Sequence, residues 1–106
     1  MSIKEYLPDD PSILRRSRDD AIDVINDASV NVLKDKLRRR RKEMKLKQSD
    51  LAESVGLKQP AISRIENHEN RSLSVKTLQE VAHGLDCVLV VDIVPRSKMI
   101  DTLEND

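Results

Sequence analysis

Arg38-Arg39-Arg40-Arg41-Lys42 sets five cations in succession, and the chemistry open to them is the gripping of phosphate. On a helix such a run points in every direction, so at least one member turns toward the core. A charge turned inward needs a partner, because burying it unpaired is costly. Arg38, Arg39 and Arg40 fit a solvated face as well as they fit phosphate contacts. The other reactive side chains stand apart. His68 and His83 have no ligand partner at metal spacing and read as surface residues. Asp19, Asp20 and Asp23 read as an acidic helix face rather than a metal site. Cys87, the sole cysteine, excludes an internal disulfide framework and a four-cysteine zinc site, and reads as a small buried residue. The sequence offers no nucleophile with a base, no paired-carboxylate pocket, no phosphate-cradling loop and no metal cluster. Catalysis, a cofactor and a metal are therefore not expected.

The 106 residues carry 19 Lys and Arg against 19 Asp and Glu, a formal net charge of 0. That zero conceals a segregation. Residues 1–30 hold four basic and seven acidic groups, net −3; residues 31–64 hold eleven and four, net +7; residues 65–106 hold four and eight, net −4. A basic middle between acidic flanks suits one face that meets a polyanion, or else a set of solvated helix faces. Tyr6 is the sole aromatic residue, so any core must be aliphatic. The length fits one domain with a tail or two. No apolar run approaches the roughly 18 residues needed to span a bilayer. The start, MSIKEYLPDD, lacks a signal-peptide apolar stretch. No membrane association and a cytoplasmic location are expected.

The elements follow from spacing. Asp10 as N-cap and Pro11 at the first position open a helix over 11–28, with Ile13, Leu14, Ala21, Ile22, Val24, Ile25 and Ala28 at helical intervals. The small and polar residues from Asn26 to Asn31 predict a break. A second helix runs from Val30 to Lys45, its inner face marked by Leu33, Leu37 and Met44. Gln48 to Val55 forms a short helix with Leu51, Ala52 and Val55 inward, closed by Gly56 in the left-handed conformation. Gln59 to Asn67 forms another, with Ile62 and Ile65 inward and Pro60 tolerated in the first turn. A polar loop at 67–73 leads to Ser74, the N-cap of a helix that buries Leu78, Val81 and Ala82 and ends at Gly84 or Asp86. The period then changes. Cys87 to Val94 is rich in β-branched residues and is stopped by Pro95, which predicts a β-strand. A lone strand cannot satisfy its own backbone groups, so it must pair with a copy of itself or with another protein. The polar tail RSKMIDTLEND then frays.

The informative stretch is QSDLAESVGLKQPAISRIEN, residues 48–67: helix, tight turn at glycine, helix. Small Ala52 sits where the second helix crosses the first closely, and Leu57 and Ile62 fill the angle between them. This stretch resembles the lambda-repressor-like helix-turn-helix family, also called Cro/CI or XRE, over residues 33–86. That resemblance implies a compact helical domain whose third helix enters the DNA major groove. It pairs Arg41 on the first helix with Glu66 at the end of the recognition helix, which answers the demand for an inward-charge partner. It gives Gln48 the role of gripping a phosphate together with its helix N-terminus. Gln59 and Arg64 take the positions that face base edges, where glutamine bonds adenine and arginine bonds guanine in two places. Lys58, Ser63 and Asn67 take flanking positions. The family often carries a capping Thr where this chain has Lys47, and a capping Ser or Thr where it has Lys58. Both changes forgo a cap and add positive charge toward the presumed DNA.

The expected architecture is all-α: an N-terminal extension with one helix (1–29), a lambda-repressor-like helix-turn-helix bundle (30–86), a dimerisation strand (87–95) and a flexible tail (96–106). The strand would pair across a homodimer through Val88, Val90, Val91 and Ile93. The ends of the chain are similar in architecture to HipB- and HigA-type antitoxins. The expected function is sequence-specific binding of double-stranded DNA, as a repressor on an inverted-repeat operator. The chain is then either the antitoxin of a toxin–antitoxin pair that represses its own operon and binds a toxin, or a free-standing or prophage-type repressor with no toxin partner.

Overall fold

Aliphatic residues at helical spacing build five α-helices among the described residues, 3–7, 18–69 and 72–105, of a computed structural model. Helix α1 is described over Arg18–Glu43, α2 over Gln48–Val55, α3 over Gln59–Glu66, α4 over Val75–Gly84 and α5 over Arg96–Asn105, with a 3-10 turn at Ile3–Tyr6. The cap expected at Asp10 and the helix expected over 11–17 lie outside the described residues. None of the described helices is long and apolar enough to cross a membrane. The chain divides into two compact units, Met1–Val32 with Val91–Asp106, and Leu33–Val90.

The second unit holds the helix-turn-helix. Its core is Leu37, Leu51, Ala52, Ile62, Ile65, Leu78, Val81 and Leu85, with Leu33, Met44, Leu46, Val55, Leu57, Leu73 and Leu89 packed around it. Helix α1 ends where Lys45 takes a left-handed φ of 59° and Leu46 N–H returns to the Arg41 carbonyl at 3.1 Å. Ser74 caps α4 by accepting the Thr77 N–H at 3.0 Å, as its position predicts. The helix runs to Gly84, and Leu85, fully buried, is its C-cap. In the first unit, Ile25 and Leu103 are buried, with Ile3, Leu7, Val24, Met99 and Ile100 against them.

Four expectations are corrected. The break at 26–31 is absent: α1 runs through it. Ser29 bonds back to the Ile25 carbonyl at 2.9 Å, and Ala28 is buried, so the polar residues there are accommodated within the helix. Residues 96–105 form α5 instead of a frayed tail, because Met99, Ile100 and Leu103 recur on one face and pack with Ile25. The strand at 87–95 is not formed, and no strand occurs among the described residues. A strand exists only with a ladder partner, and none of the described residues supplies one. Leu89 packs on the core, but Val88, Val90, Val91 and Ile93 are 86%, 85%, 66% and 93% exposed. Cys87 is exposed, not buried; its Sγ lies 3.3 Å from the Leu85 carbonyl.

Candidate nucleic-acid interface

The turn between α2 and α3 is fixed by its backbone. Gly56 sits at φ 74°, ψ 26°, and its N–H reaches the Ala52 and Glu53 carbonyls, while Leu57 N–H reaches Ala52 at 2.9 Å. That left-handed residue reverses the chain at little cost because it has no Cβ. Lys47 and Lys58, the residues before the two helices, make no side-chain cap. At α2 the loss is offset by Asp50, whose carboxylate accepts the Lys47 N–H at 2.9 Å. Pro60 in the first turn of α3 costs nothing there, since the N–H it lacks would have no partner within the helix.

Helix α3 is thereby seated with Ile62 and Ile65 buried on one side. Its opposite side carries Gln59 and Ser63, four apart and so aligned, with Arg64 beside them and Asn67 following at the C-cap; all four are exposed. Lys47 and Lys58 are exposed too, and Gln48 is half-buried.

A continuous hydrogen-bonded network ties this face to α1. Gln59 Nε2 donates to Gln48 Oε1 at 2.7 Å, and Gln48 Nε2 donates to Glu66 Oε1 at 3.2 Å. Arg41 donates from Nε to Glu66 Oε2 at 2.7 Å and from Nη2 to Oε1 at 2.8 Å. Its Nη1 donates to the Leu46 carbonyl at 2.8 Å. The guanidinium–carboxylate contact is bidentate and charge-assisted. The hydrogen bonds to Glu66 hold the Arg41 pKa above the usual arginine value, against the opposing effect of burial. The residue expected to grip phosphate and the residue expected to read a base thus orient one another, and both hang from the Arg41–Glu66 pair.

Two cations have structural roles that the sequence left unassigned. Arg40 donates from Nε to the Leu85 carbonyl at the end of α4, at 3.0 Å. Lys34 is fully buried, with its ammonium against the end of α3. A signal for Lys34 was present: with Leu37, Arg41 and Met44 it falls on the inward stripe of α1, at spacings of three, four and three. The four residues expected at a dimer strand, Val88, Val90, Val91 and Ile93, fall in the segment that follows α4.

Residues 37–89, half of the chain, match the family model described as helix-turn-helix. No curated protein and no solved structure matches the chain.

Proposed function

Because the chain belongs to the Cro/CI-type helix-turn-helix family, that of DNA-binding transcription regulators, we propose that it is a repressor reading double-stranded DNA through α3. One observation carries this reading: Gln59, Ser63 and Arg64 are exposed on a helix whose other side is fixed in the core, with exposed Asn67 at its C-cap. Gln59 suits adenine and Arg64 suits guanine, each through two hydrogen bonds. Lys47, Gln48, Lys58, Ser63 and Asn67 then fix the register on phosphates or flanking bases.

One copy of so short a helix reads only a few base pairs. The repressor therefore acts as a homodimer on an inverted repeat, with half-sites about one DNA turn apart. The segment from Val88 to Ile93 is the dimer element: it leaves four large aliphatic side chains in water, and pairing with its copy would cover them while satisfying backbone groups. An autoregulating antitoxin and a free-standing or prophage-type repressor would use the same interface. The adjacent reading frame separates them, since a small toxin gene there favours the antitoxin.

Selection of duplexes from a random pool tests the reading. Arg64→Ala should cost about 1–3 kcal/mol and relax one position of the selected consensus. A loss equal across all sequences would leave Arg64 on phosphate and remove the base-reading role. Affinity should fall steeply with salt as counterions are released, and a flat response would remove the phosphate contacts altogether.

A further inference from the structure

Lys34 lies on α1, three residues before the stretch matched to the family, and its side chain is fully buried. Its Nζ donates to three main-chain carbonyls: Arg64 at 3.3 Å, Ile65 at 3.0 Å and Asn67 at 2.7 Å. An ammonium has three N–H groups, so every donor is used. The acceptors belong to the end of α3 and its C-cap, where helix carbonyls run short of main-chain partners and the dipole is negative; the Arg64 carbonyl also accepts the Asn67 N–H at 3.3 Å. These acceptors are peptide oxygens and not a carboxylate. The charge is therefore matched to a helix end, a place defined by backbone position.

The next residue extends the hold. Asp35 Oδ1 lies 2.6 Å from His68 Nε2, in the turn that follows α3. Asn67 leaves helical geometry at φ −85°, ψ 121°, and its Oδ1 accepts the Glu69 N–H at 2.9 Å. Two consecutive residues of α1 thus secure both the last turn of α3 and the chain leaving it. Arg64 and Asn67, whose carbonyls Lys34 holds, are the two of those four exposed residues nearest that end.

We propose that Lys34 is a positioning residue for DNA recognition: it clamps the C-terminal end of α3, and so fixes how Arg64 and Asn67 are presented to the duplex. The clamp works at the opposite end of α3 from the Gln48–Gln59 contact, and the two together fix the helix at both ends. This assignment rests on the DNA-binding reading above, but the clamp itself can be read without DNA.

Lys34→Met keeps a long unbranched side chain and removes all three donors. In K34M, amide hydrogen exchange at residues 67–69 should quicken by about tenfold or more relative to wild type, while amides of α2 change far less. Unchanged protection there overturns the clamp, whether or not any duplex binds. In K34M that circular dichroism shows to be folded, affinity for the selected duplex should drop about tenfold, a difference of about 1.4 kcal/mol. The salt slope should stay that of wild type, because a fully buried ammonium meets no phosphate. Asn67→Ala should cost less in K34M than in wild type, since a side chain no longer held in place has less to lose. Wild-type affinity in folded K34M overturns the positioning role and leaves the DNA-binding reading intact; failure of wild type to select any duplex overturns that reading and leaves the exchange result standing. Should K34M not fold, Lys34→Gln, which retains two donors, takes its place in each arm. In wild type, the Lys34 ammonium protons should exchange slowly with water, and fast exchange overturns the clamp with no variant at all.

Discussion

Glu66→Ala removes the carboxylate on which the recognition face hangs. The side chains of Arg41 and Glu66 are 10% and 5% exposed, and they meet through two hydrogen bonds of 2.7 and 2.8 Å. Without Glu66, the buried guanidinium keeps its bond to the Leu46 carbonyl but loses its counter-charge. Removing one partner of a buried pair costs about 3–5 kcal/mol, against about 0–1 kcal/mol for an exposed pair. A domain of this size has a total stability of about 5–15 kcal/mol, so E66A should lose a large share of it. The double variant R41L/E66L removes both charges and fills the space with apolar groups, and should recover most of the loss. The coupling between the two positions should exceed about 2 kcal/mol in a double-mutant cycle. Urea unfolding followed by far-UV circular dichroism on wild type, R41L, E66A, E66L and the double variant gives every corner of that cycle. An E66A cost below about 1 kcal/mol, or additive single effects, would show that this pair behaves as a solvated one and that the frame around α3 has another origin.

Three further outcomes are expected. At Gly84 a Cβ would collide with Val55 Cγ1 and stand 3.2 Å from Leu51 Cδ1; the overpacking cost of about 1–3 kcal/mol exceeds the roughly 1 kcal/mol that alanine gains in a helix, so G84A should lower the melting temperature. A stabilised G84A would contradict the close approach of α2 to α4. Under the proposed dimer through residues 88–93, wild type should sediment as a dimer and Val90→Pro should shift it toward monomer, because proline cannot complete a strand ladder; a monomeric wild type or an unchanged dimer would refute that contact. Burial holds the Lys34 pKa below the ordinary lysine value of 10.5. Between the folded-state value and 10.5 the unfolded chain binds more protons, so this group's contribution to stability rises as pH climbs through that window and is level on either side. The stability of wild type minus that of K34M should therefore increase with pH there, and a decrease would reverse the assignment of the shift.

The sequence made the helix-turn-helix legible because each signal in it is local. Gly56 supplies the left-handed turn, Ile62 and Ile65 recur at helical spacing, and Ser74 is followed three residues later by the N–H it caps. What was not legible depends on groups that have no letter in the sequence. Lys34 and Arg40 are satisfied by carbonyls of Arg64, Ile65, Asn67 and Leu85, and every residue carries a carbonyl, so no residue type marks the acceptor. The run from Asn26 to Asn31 has the composition of a turn, yet Ser29 returns its hydroxyl to Ile25 and Ala28 is buried. The Cys87–Val94 segment fails differently. Its β propensity describes what it would do beside a partner, and propensity alone forms no ladder.

The structure also revises how the basic segment should be counted. Residues 31–64 hold eleven cations, but Lys34, Arg40 and Arg41 are turned to helix ends and to Glu66. The exposed cations of that segment are Lys36, Arg38, Arg39, Lys42, Lys45, Lys47, Lys58 and Arg64, and of these Lys47, Lys58 and Arg64 belong to the helix-turn-helix itself. At about 0.9 units of salt slope per neutralised phosphate, three such contacts give a slope near −3 per chain, whereas all eight would give about −7. The run at 38–42 therefore divides its work: two of its five residues brace the fold, and the three that face water are what a measured slope steeper than about −3 per chain would bring into the interface. Charge segregation in the sequence marked a basic stretch, and burial separates its water-facing cations from those that build the fold.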